Sequence, residues 1–553
     1  MPTLNVGYND LCGLVRRELP IGLLEEKLFL MKCEVESLSG DELVLEVTSD
    51  RPDLLCAEGI ARELRGLLGI ETGLVNYKLT KSDLRIYVDR SISKVRPYIA
   101  GALVKELEFN DEFVKQIMQL QEKLHLTYCR NRTKVSVGIH DAETITHKLT
   151  YGGVRPEKIR FTPLDETREM NGNEILESTP KGREYGWIIK GFPVYPLLSD
   201  SDAKVLSLPP IINGIVTKVT PETTSLILDV TGTDMKLVNF VNNIMVSSLV
   251  ERGGIAKSAT IVYNREKIYA PDLSPYRRNL NLSYANEILG LDLKPGQASS
   301  LLKKMRYGIK PRSKNSLTVI IPAYRADIMH EIDLVEDLAI AYGYDKLKPT
   351  MPMSATIGSE RNITKLTRKI RDLMIGLGFI EVLNYVMTSD NTISYKMDMQ
   401  SKKIVTIANP LSIDFSVLRN WLIPGLLSFL SFNKHVPYPQ NIFESGETVE
   451  INETTPTKTI TKRKLAALVC NHKISYEDIQ SNLYSLLRNA GADGWSLHRT
   501  EHSSFIKGRV ASIKVSGVEV GIIGEIHPRI LERFEIENPV GAFEIELEKI
   551  FRK

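Results

Sequence analysis

Arg325-Ala-Asp-Ile-Met-His-Glu-Ile-Asp-Leu-Val-Glu-Asp-Leu-Ala-Ile-Ala-Tyr-Gly-Tyr344 is the stretch on which the reading of the fold turns. Ile332, Leu334, Val335, Leu338 and Ile340 recur at helical spacing, while Asp333, Glu336 and Asp337 stand three and four residues apart. One helix therefore carries an apolar side and a carboxylate side, and Asp327 lies ahead of its first turn. Carboxylates this close repel. A hard divalent cation such as Mg2+, which takes oxygen ligands and keeps some waters, would relieve the repulsion. The helix macrodipole also favours acidic residues at any N-terminus, and spacing alone leaves both readings open.

A second stretch repeats the first. Arg51-Pro-Asp-Leu-Leu-Cys-Ala-Glu-Gly-Ile-Ala-Arg-Glu-Leu-Arg-Gly-Leu-Leu-Gly-Ile70 aligns on it without a gap, Arg51 on Arg325, Asp53 on Asp327, Leu64 on Leu338 and Gly69 on Gly343. Upstream, Leu14, Leu28, Met31, Leu43 and Val47 fall opposite Ile288, Leu302, Met305, Leu317 and Ile321. Each copy reads as two short helices, a strand and a final helix, so the chain is expected to hold two related small helical domains. The first copy has Gly59 and Arg62 where the second has Asp333 and Glu336. The acidic cluster is thus not something the fold requires, which sets a metal role for Asp327, Asp333, Glu336 and Asp337 level with the macrodipole reading.

At 553 residues the chain exceeds one core and is expected to form three to five domains. Charged residues make up 25%, hydrophobic ones 42%, and the formal net charge is +3. No global polybasic signature follows, so any nucleic-acid contact must be local. Cys12, Cys33, Cys56, Cys129 and Cys470 show no paired metal-site spacing and no disulfide framework, as in a reduced, cytoplasmic protein. The N-terminus lacks a basic region followed by an apolar run, and no stretch approaches membrane-span length. A soluble protein with no membrane partner is expected.

The fold class is α+β and multidomain. Residues 1–83 form the first repeat copy. Residues 84–270 mix strand candidates (Leu84–Val88, Lys134–Ile139, Gly186–Ile189, Ser225–Val230) with helices at Asp111–Leu124 and Ala203 to Leu206, in a compact α+β domain. Residues 271–349 hold the second copy, and a Pro/Met/Ser linker, Lys348 to Ser359, leads into 350–553. That last domain opens on a helix with Ile363, Leu366, Ile370, Leu373, Met374 and Leu377 in register. Seven strand candidates follow, at Ile380–Met387, Ile404–Ile407, Asn441–Phe443, Leu465–Val469, Arg509–Val515, Glu519–Ile523 and Ala542–Leu547. Their connections are too short for parallel crossovers, so an antiparallel sheet flanked by helices is expected.

Beyond the Arg-Ala-Asp segment, the informative motifs are Gln121-Glu-Lys-Leu-His125, followed by Arg130 and Arg132, then Gly138-Ile-His-Asp141 and Ser207-Leu-Pro-Pro-Ile-Ile-Asn213. Thr231-Gly-Thr-Asp234 and Leu418-Arg-Asn-Trp-Leu-Ile-Pro-Gly-Leu426 complete the set. Singly these are weak: Pro209-Pro210 with Asn213 suits any turn, and Asp234 or Thr233 could simply cap a helix. In this order, over essentially the whole chain, they resemble the phenylalanine–tRNA ligase beta-subunit family in its archaeal and eukaryotic form.

That resemblance implies a complex of two alpha and two beta chains that charges phenylalanine tRNA using ATP as substrate and Mg2+ as cofactor, with aminoacylation carried by the alpha subunit. It implies that 350–553 is a class II synthetase-like antiparallel sheet domain without catalytic motifs. Ile442 takes the place of the arginine that would hold the α-phosphate, and Gly541-Ala-Phe-Glu-Ile-Glu-Leu-Glu-Lys549 has no arginine where a second would stand. The apolar stripe from Ile363 to Leu377 is expected at the subunit interface. It implies, finally, that 84–270 is a tRNA-editing domain hydrolysing mischarged tyrosyl-tRNA, because a pocket for phenylalanine rejects an added hydroxyl by only about a hundredfold. Ser207, Asn213 and Asp234 are the expected catalytic set, with Thr231 and Thr233 beside them and Gln121, Arg130 and Arg132 toward the tRNA terminus. No Ser-His-Asp or Cys-His constellation is readable, so a positioned water is expected to attack.

Overall fold

The computed structural model describes residues 2–264, 266–353, 356–400 and 403–550. It divides between Met351 and Pro352 into two units; residues 354 and 355 of the expected linker lie outside the described residues.

In the first unit both repeat copies are built alike. Each starts with a strand (Thr3–Gly7; Tyr276–Asn281), passes through two short helices, and returns as a hairpin (Cys33–Ser39 with Glu42–Val47; Gly308–Ser313 with Ser316–Ile321) before its last helix (Ala57–Leu67; Glu331–Tyr342). In both sheets the second hairpin strand lies in the middle, paired antiparallel to the entry strand and to its own hairpin partner. The expectation of small helical domains with one strand is therefore corrected to three-stranded sheets with three helices. The entry strands were missed because each buries only one or two apolar side chains, Leu4 and Val6 in the first and Leu280 in the second, too few to register as alternation.

The copies share one internal device. Arg51 holds Asp53 through two bonds of 2.9 Å, and Arg325 holds Asp327 through bonds of 2.8 and 2.7 Å. The two bidentate pairs meet, with Arg51 Nε 4.0 Å from Asp327 Oδ2, and Arg62 lies over the Tyr324 ring at 3.6 Å. At Gly66 a Cβ would come within 2.1 Å of the Lys304 carbonyl, so only glycine lets the last helix of one copy pass that close to the other.

Between the copies in sequence lies a ten-stranded sheet whose path runs Ile212–Asn213, Val205–Leu208, Tyr195–Asp200, Lys148–Val154, Thr80–Val88, Ile255–Tyr263, Tyr98–Lys105, Leu226–Gly232, Val135–Asp141, with Glu266–Ala270 beside Ile255–Tyr263. Its first long strand begins at Thr80, inside the span assigned to the first repeat copy. Two local expectations fail. Gly186–Ile188 is a 3-10 turn rather than a strand, and Val205–Leu208 is a strand where a helix was expected at Ala203 to Leu206. Helices Asp111–Leu126 and Met235–Glu251 pack on the sheet through Phe113, Ile117, Leu124, Val241, Ile244 and Met245.

The second unit is a seven-stranded sheet in the order Ile380–Glu381, Gln440–Ile451, Thr459–Cys470, Val540–Glu546, Val518–Ile526, Phe505–Val515, Trp495–Arg499, antiparallel except for its short first pair. Alternation along the long strands sends Phe443, Leu465 and Phe543 into one apolar layer and Ile442, Leu468 and Ala542 into another. Thr406 makes only an isolated bridge to Val417, so the strand expected at Ile404–Ile407 does not form.

Helix Asn362–Gly376 does not leave its stripe free. Ile370 and Met374 are buried in the first of these layers, with Ile363, Leu366 and Leu373 packed against it. The free apolar surface lies elsewhere, at Ile380, Leu383, Tyr385, Leu411, Ile413 and Phe432, of which Leu383 is 87% and Phe432 82% exposed.

Candidate editing pocket

A cavity of about 310 Å3 opens in the central domain between helix Asp111–Leu126, strand Val135–Asp141 and the Ser207–Asn213 turn. Four of the expected residues line it: Gln121, Arg132, Ser207 and Asn213. Gln121 donates to the Val137 carbonyl at 2.7 Å, and Asn213 Nδ2 donates to the Ile139 carbonyl at 3.2 Å. Both side chains are thereby pinned to the strand that floors the cavity.

Arg132 is the most constrained. Its guanidinium donates to the carbonyls of Pro210 and Ile211 at 3.3 and 3.0 Å and to Glu122 at 3.1 Å, and it stacks over the Tyr185 ring at 4.4 Å. Arg130, Asn131 and Arg132 hold φ of 51°, 49° and 63° in succession. Left-handed backbone costs a non-glycine residue about 1–2 kcal/mol, and the bonds made by Arg132, with those of Thr133 to the Arg130 carbonyl, help to hold the three residues in place. Strain of this kind concentrates at functional sites.

The polar centre of the cavity is a residue that the sequence reading passed over. Asp229, 1% exposed, accepts from Ser207 Oγ at 2.9 Å and pairs with His140 Nε2 at 2.8 Å, both at Oδ2. Behind it, a Cβ on Gly138 would lie 2.5 Å from Asp229 Oδ2, so glycine is required for the carboxylate to sit there. Asp229 is a lone acid in the apolar strand Leu226-Ile-Leu-Asp-Val-Thr-Gly232. A charge in such a strand is costly unless it has work to do, and that was the available signal.

Four expected residues lie outside the cavity. Asp234 accepts from the N–H groups of Lys236 and Leu237 and caps helix Met235–Glu251, so its carboxylate is committed to the helix end. Thr233 and Arg130 are exposed away from the lining. Thr231 lies beneath the floor: its Oγ1 takes Arg96 Nε at 2.9 Å and meets Ser136 Oγ at 3.0 Å. The buried Arg96 guanidinium, whose pKa burial pushes down to about 10, thus ties Thr231 to the lining residue Ser136.

No nucleophile stands ready. Ser207 donates to a carboxylate rather than to an imidazole, and burial pushes the Cys129 thiol up to about 12. His125 is occupied: the Val137 N–H can only donate, so it fixes Nε2 as an acceptor at 2.9 Å. Burial drives the pKa of His125 down to about 4. In the unfolded chain a histidine takes its proton near pH 6.5, so the folded state binds fewer protons through this window and loses stability as pH falls. Between pH 7 and 5 the loss amounts to about 2 kcal/mol. His125→Gln is expected to flatten that decline in denaturant titrations at the two pH values, and an equally steep decline in the variant would rule out His125 as its source.

The four carboxylates of the second repeat do not converge. Asp327 and Asp337 are both held by Arg325, Asp337 at 2.8 Å, with Tyr307 Oη also donating to Asp337. Asp333 Oδ2 accepts from the N–H groups of Met329 and His330 at 2.7 and 2.6 Å, and Glu336 Oε1 pairs with Lys32 of the first copy at 3.0 Å. The repulsion assigned to a metal is met here by a guanidinium. Among the described residues no group of three or more His, Cys, Asp or Glu is arranged to hold a metal ion. A four-carboxylate Mg2+ cage therefore does not fit the side chains as placed. Asp333 Oδ1, Glu336 Oε2 and Oδ1 of the buried Asp337 are the oxygens of the four without a protein partner among the described residues. Gly59, opposite Asp333 in the first copy, has its own reason: a Cβ there would lie 1.8 Å from the Asp53 carbonyl.

In the second unit Ile442 is 3% exposed within the apolar layer formed with Leu426, Leu427 and Leu468. Glu544, on the closing strand, accepts from the N–H groups of Leu422 and Ile423 at 2.8 and 3.2 Å. Among the described residues no helix is long and apolar enough to cross a membrane.

Residues 347–547 match the family described as phenylalanyl tRNA synthetase beta chain CLM domain, and residues 278–344 match the tRNA synthetase B5 domain. The chain is 41% identical to the phenylalanine–tRNA ligase beta subunit of Pyrococcus abyssi over 100% of both chains. It is 40% identical to that of Methanocaldococcus jannaschii over 99% of this chain and 100% of the other. A crystal structure of an N-terminal fragment of the phenylalanyl-tRNA synthetase beta subunit from Pyrococcus horikoshii superposes with a TM-score of 0.60 at 40% identity, covering 62% of this chain and 100% of the fragment. The strand-for-strand repeat, the central sheet with its pocket and the full-length similarity agree: the chain belongs to the phenylalanine–tRNA ligase beta-subunit family.

Proposed function

We propose that this chain is the editing and scaffolding half of a complex of two alpha and two beta chains, in which the alpha subunit uses ATP to attach phenylalanine to its tRNA and this chain hydrolyses tyrosyl-tRNA made in error. The observation that carries the editing role is Asp229, a carboxylate buried on the lining of a cavity sized for one aromatic side chain. A tyrosine hydroxyl entering the cavity donates to Asp229 Oδ1, which has no protein partner among the described residues. Phenylalanine leaves that acceptor buried without a donor, a penalty of about 1–3 kcal/mol. Discrimination of this sign is what an apolar synthetic pocket lacks.

Hydrolysis follows from positioning. Asn213 and Gln121 orient the ester and a water from the strand side, while Arg132 and Lys181, both on the lining, face the phosphate and ribose of the tRNA end. Attack by that water breaks the ester and releases tyrosine and tRNA with no covalent enzyme intermediate. Deacylation of tyrosyl-tRNA by the reconstituted complex tests this reading, and a complex that leaves tyrosyl-tRNA intact would sink it.

Magnesium belongs to the proposal first as the companion of ATP. On this chain, the half-buried Asp333 and the exposed Glu336 are the pair to hold an ion, largely through water, because Mg2+ dehydrates reluctantly. Asp333→Ala with Glu336→Ala is expected to lower the bound Mg2+ of the purified complex, counted by elemental analysis after gel filtration. Unchanged metal content would remove Mg2+ from this helix and leave Arg325 and Lys32 as the relief of its charge.

A further inference from the structure

A second cavity, of about 580 Å3, lies between helix Met235–Glu251 and the second repeat, away from the editing pocket. One face of the helix supplies Lys236, Asn239, Phe240 and Asn243, at successive helical spacings, and strand Tyr276–Asn281 supplies Tyr276 and Arg278. The editing pocket uses none of these side chains; of them, Tyr276 also packs in the second repeat, its hydroxyl donating to the Arg325 carbonyl at 2.9 Å.

Three observations point to a ligand. Asn243 is 5% exposed; its Nδ2 donates to the Asp272 carbonyl at 2.9 Å and toward Ala323, and this leaves its Oδ1 buried on the lining with no hydrogen-bond partner. Buried acceptors without donors are rare enough to need a reason. Arg278 Nε is likewise buried and unpartnered. Arg278 and Lys236 form no ion pair among the described residues, and the single carboxylate on the lining, Asp272, is engaged with the Ser274 N–H at 3.0 Å.

The chemistry is specific. Arg278 and Lys236, the latter 5.9 Å over the Phe240 ring, outnumber the single carboxylate of the lining and favour an anion, but a bare anion would be repelled by the Asn243 carbonyl oxygen. The ligand must therefore carry an N–H donor as well as negative charge, and Phe240 and Tyr276 offer it apolar ring surface. A nucleotide has all three parts: phosphate for Arg278 and Lys236, a base-edge N–H for Asn243, and a flat ring to lie against the aromatics. We propose that this cavity is a nucleotide-binding site, occupied by one nucleotide of the tRNA while its acceptor end is engaged elsewhere on the enzyme. The proposal rests on the chain's place in a tRNA ligase and not on the editing pocket. A free mononucleotide presents the same chemistry and is the other source to be distinguished.

The test uses the reconstituted complex. Arg278→Ala is expected to weaken tRNA binding about tenfold and to reduce the slope of log affinity against log salt by about one. Lys236→Ala, at an exposed helix start where refolding is not an issue, is expected to weaken it about threefold. Arg278→Lys should fall between the wild type and Arg278→Ala, because it keeps the charge and loses the fork. Charging turnover at saturating tRNA, and deacylation turnover in the editing pocket, should stay at wild-type values, which separates failure of this site from failure of the editing reading. Calorimetric titration with adenosine monophosphate forms the second arm. Arg278-dependent binding of the mononucleotide with unaltered tRNA affinity would assign the site to a free nucleotide. Wild-type tRNA affinity in both alanine variants, together with no mononucleotide binding, would overturn the proposal.

Discussion

Asp229→Asn is expected to slow deacylation of tyrosyl-tRNA by about a hundredfold while phenylalanine charging by the complex is kept. The carboxylate takes Ser207 and His140 on one oxygen and leaves the other for the substrate hydroxyl. An amide of the same shape cannot serve all three donors: it has one acceptor oxygen, and its nitrogen would face either the imidazole or the phenol. The charge-assisted bond to the phenol is lost in both orientations. Because phenylalanine never made that bond, its slow background hydrolysis should change little, so the diagnostic quantity is the ratio of the two deacylation rates. Ser207→Ala should cost less, about fivefold, since His140 still holds Asp229 in place. Should the ratio survive in Asp229→Asn, tyrosine is being read at another place, and the cavity has lost its role.

How much of this pocket could be read from the chain depends on what each residue's signal looks like locally. Gln121, Arg132, Ser207 and Asn213 belong to polar motifs punctuated by prolines and glycine, and those motifs converge on one cavity. Asp229 belongs to no motif and is framed by Leu228 and Val230, so only the cost of burying it pointed to a role. Asp234 misled for the opposite reason, because Thr-Gly-Thr-Asp before a helix is what an N-cap looks like and here it is one. The repeat was legible because its final helices preserve spacing and both copies keep Arg-x-Asp. The quartet of carboxylates was legible as a problem in electrostatics, but not in its solution: sequence spacing gives no view of Arg325 folding back onto Asp327 and Asp337. The exposed hairpin strand Cys33–Ser39, which sends Glu34, Ser37 and Ser39 to solvent, carried too little alternation to be seen.

The same gap between pattern and destination governs the last prediction, that this chain forms no phenylalanyl-adenylate alone and supports its formation only when joined to the alpha subunit. Activation places charge on the α-phosphate, and a class II site meets it with fixed arginines. Ile442, which the resemblance sets at the first arginine's place, is sealed in an apolar layer, and strand Val540–Glu546 presents Glu544, a like charge already bonded to two backbone N–H groups. Phenylalanine-dependent pyrophosphate exchange should therefore be absent from the purified chain and appear on adding alpha; robust exchange by the chain alone would refute the scaffold reading. A second apolar surface is open for the scaffold to act through. The stripe on Asn362–Gly376 is spent on the chain's own core through Ile370 and Met374, whereas Leu383, Tyr385, Leu411 and Phe432 remain open to solvent. An apolar patch of that kind marks an interface. Leu383→Asp with Leu411→Asp should keep the chain folded, since neither side chain is buried, and still abolish co-elution with alpha and the exchange that depends on it. Ile370→Ala, by contrast, removes buried methyl groups and should destabilise the chain itself by about 2–5 kcal/mol. If the double aspartate variant assembles as well as the wild type, the docking surface lies elsewhere on the chain.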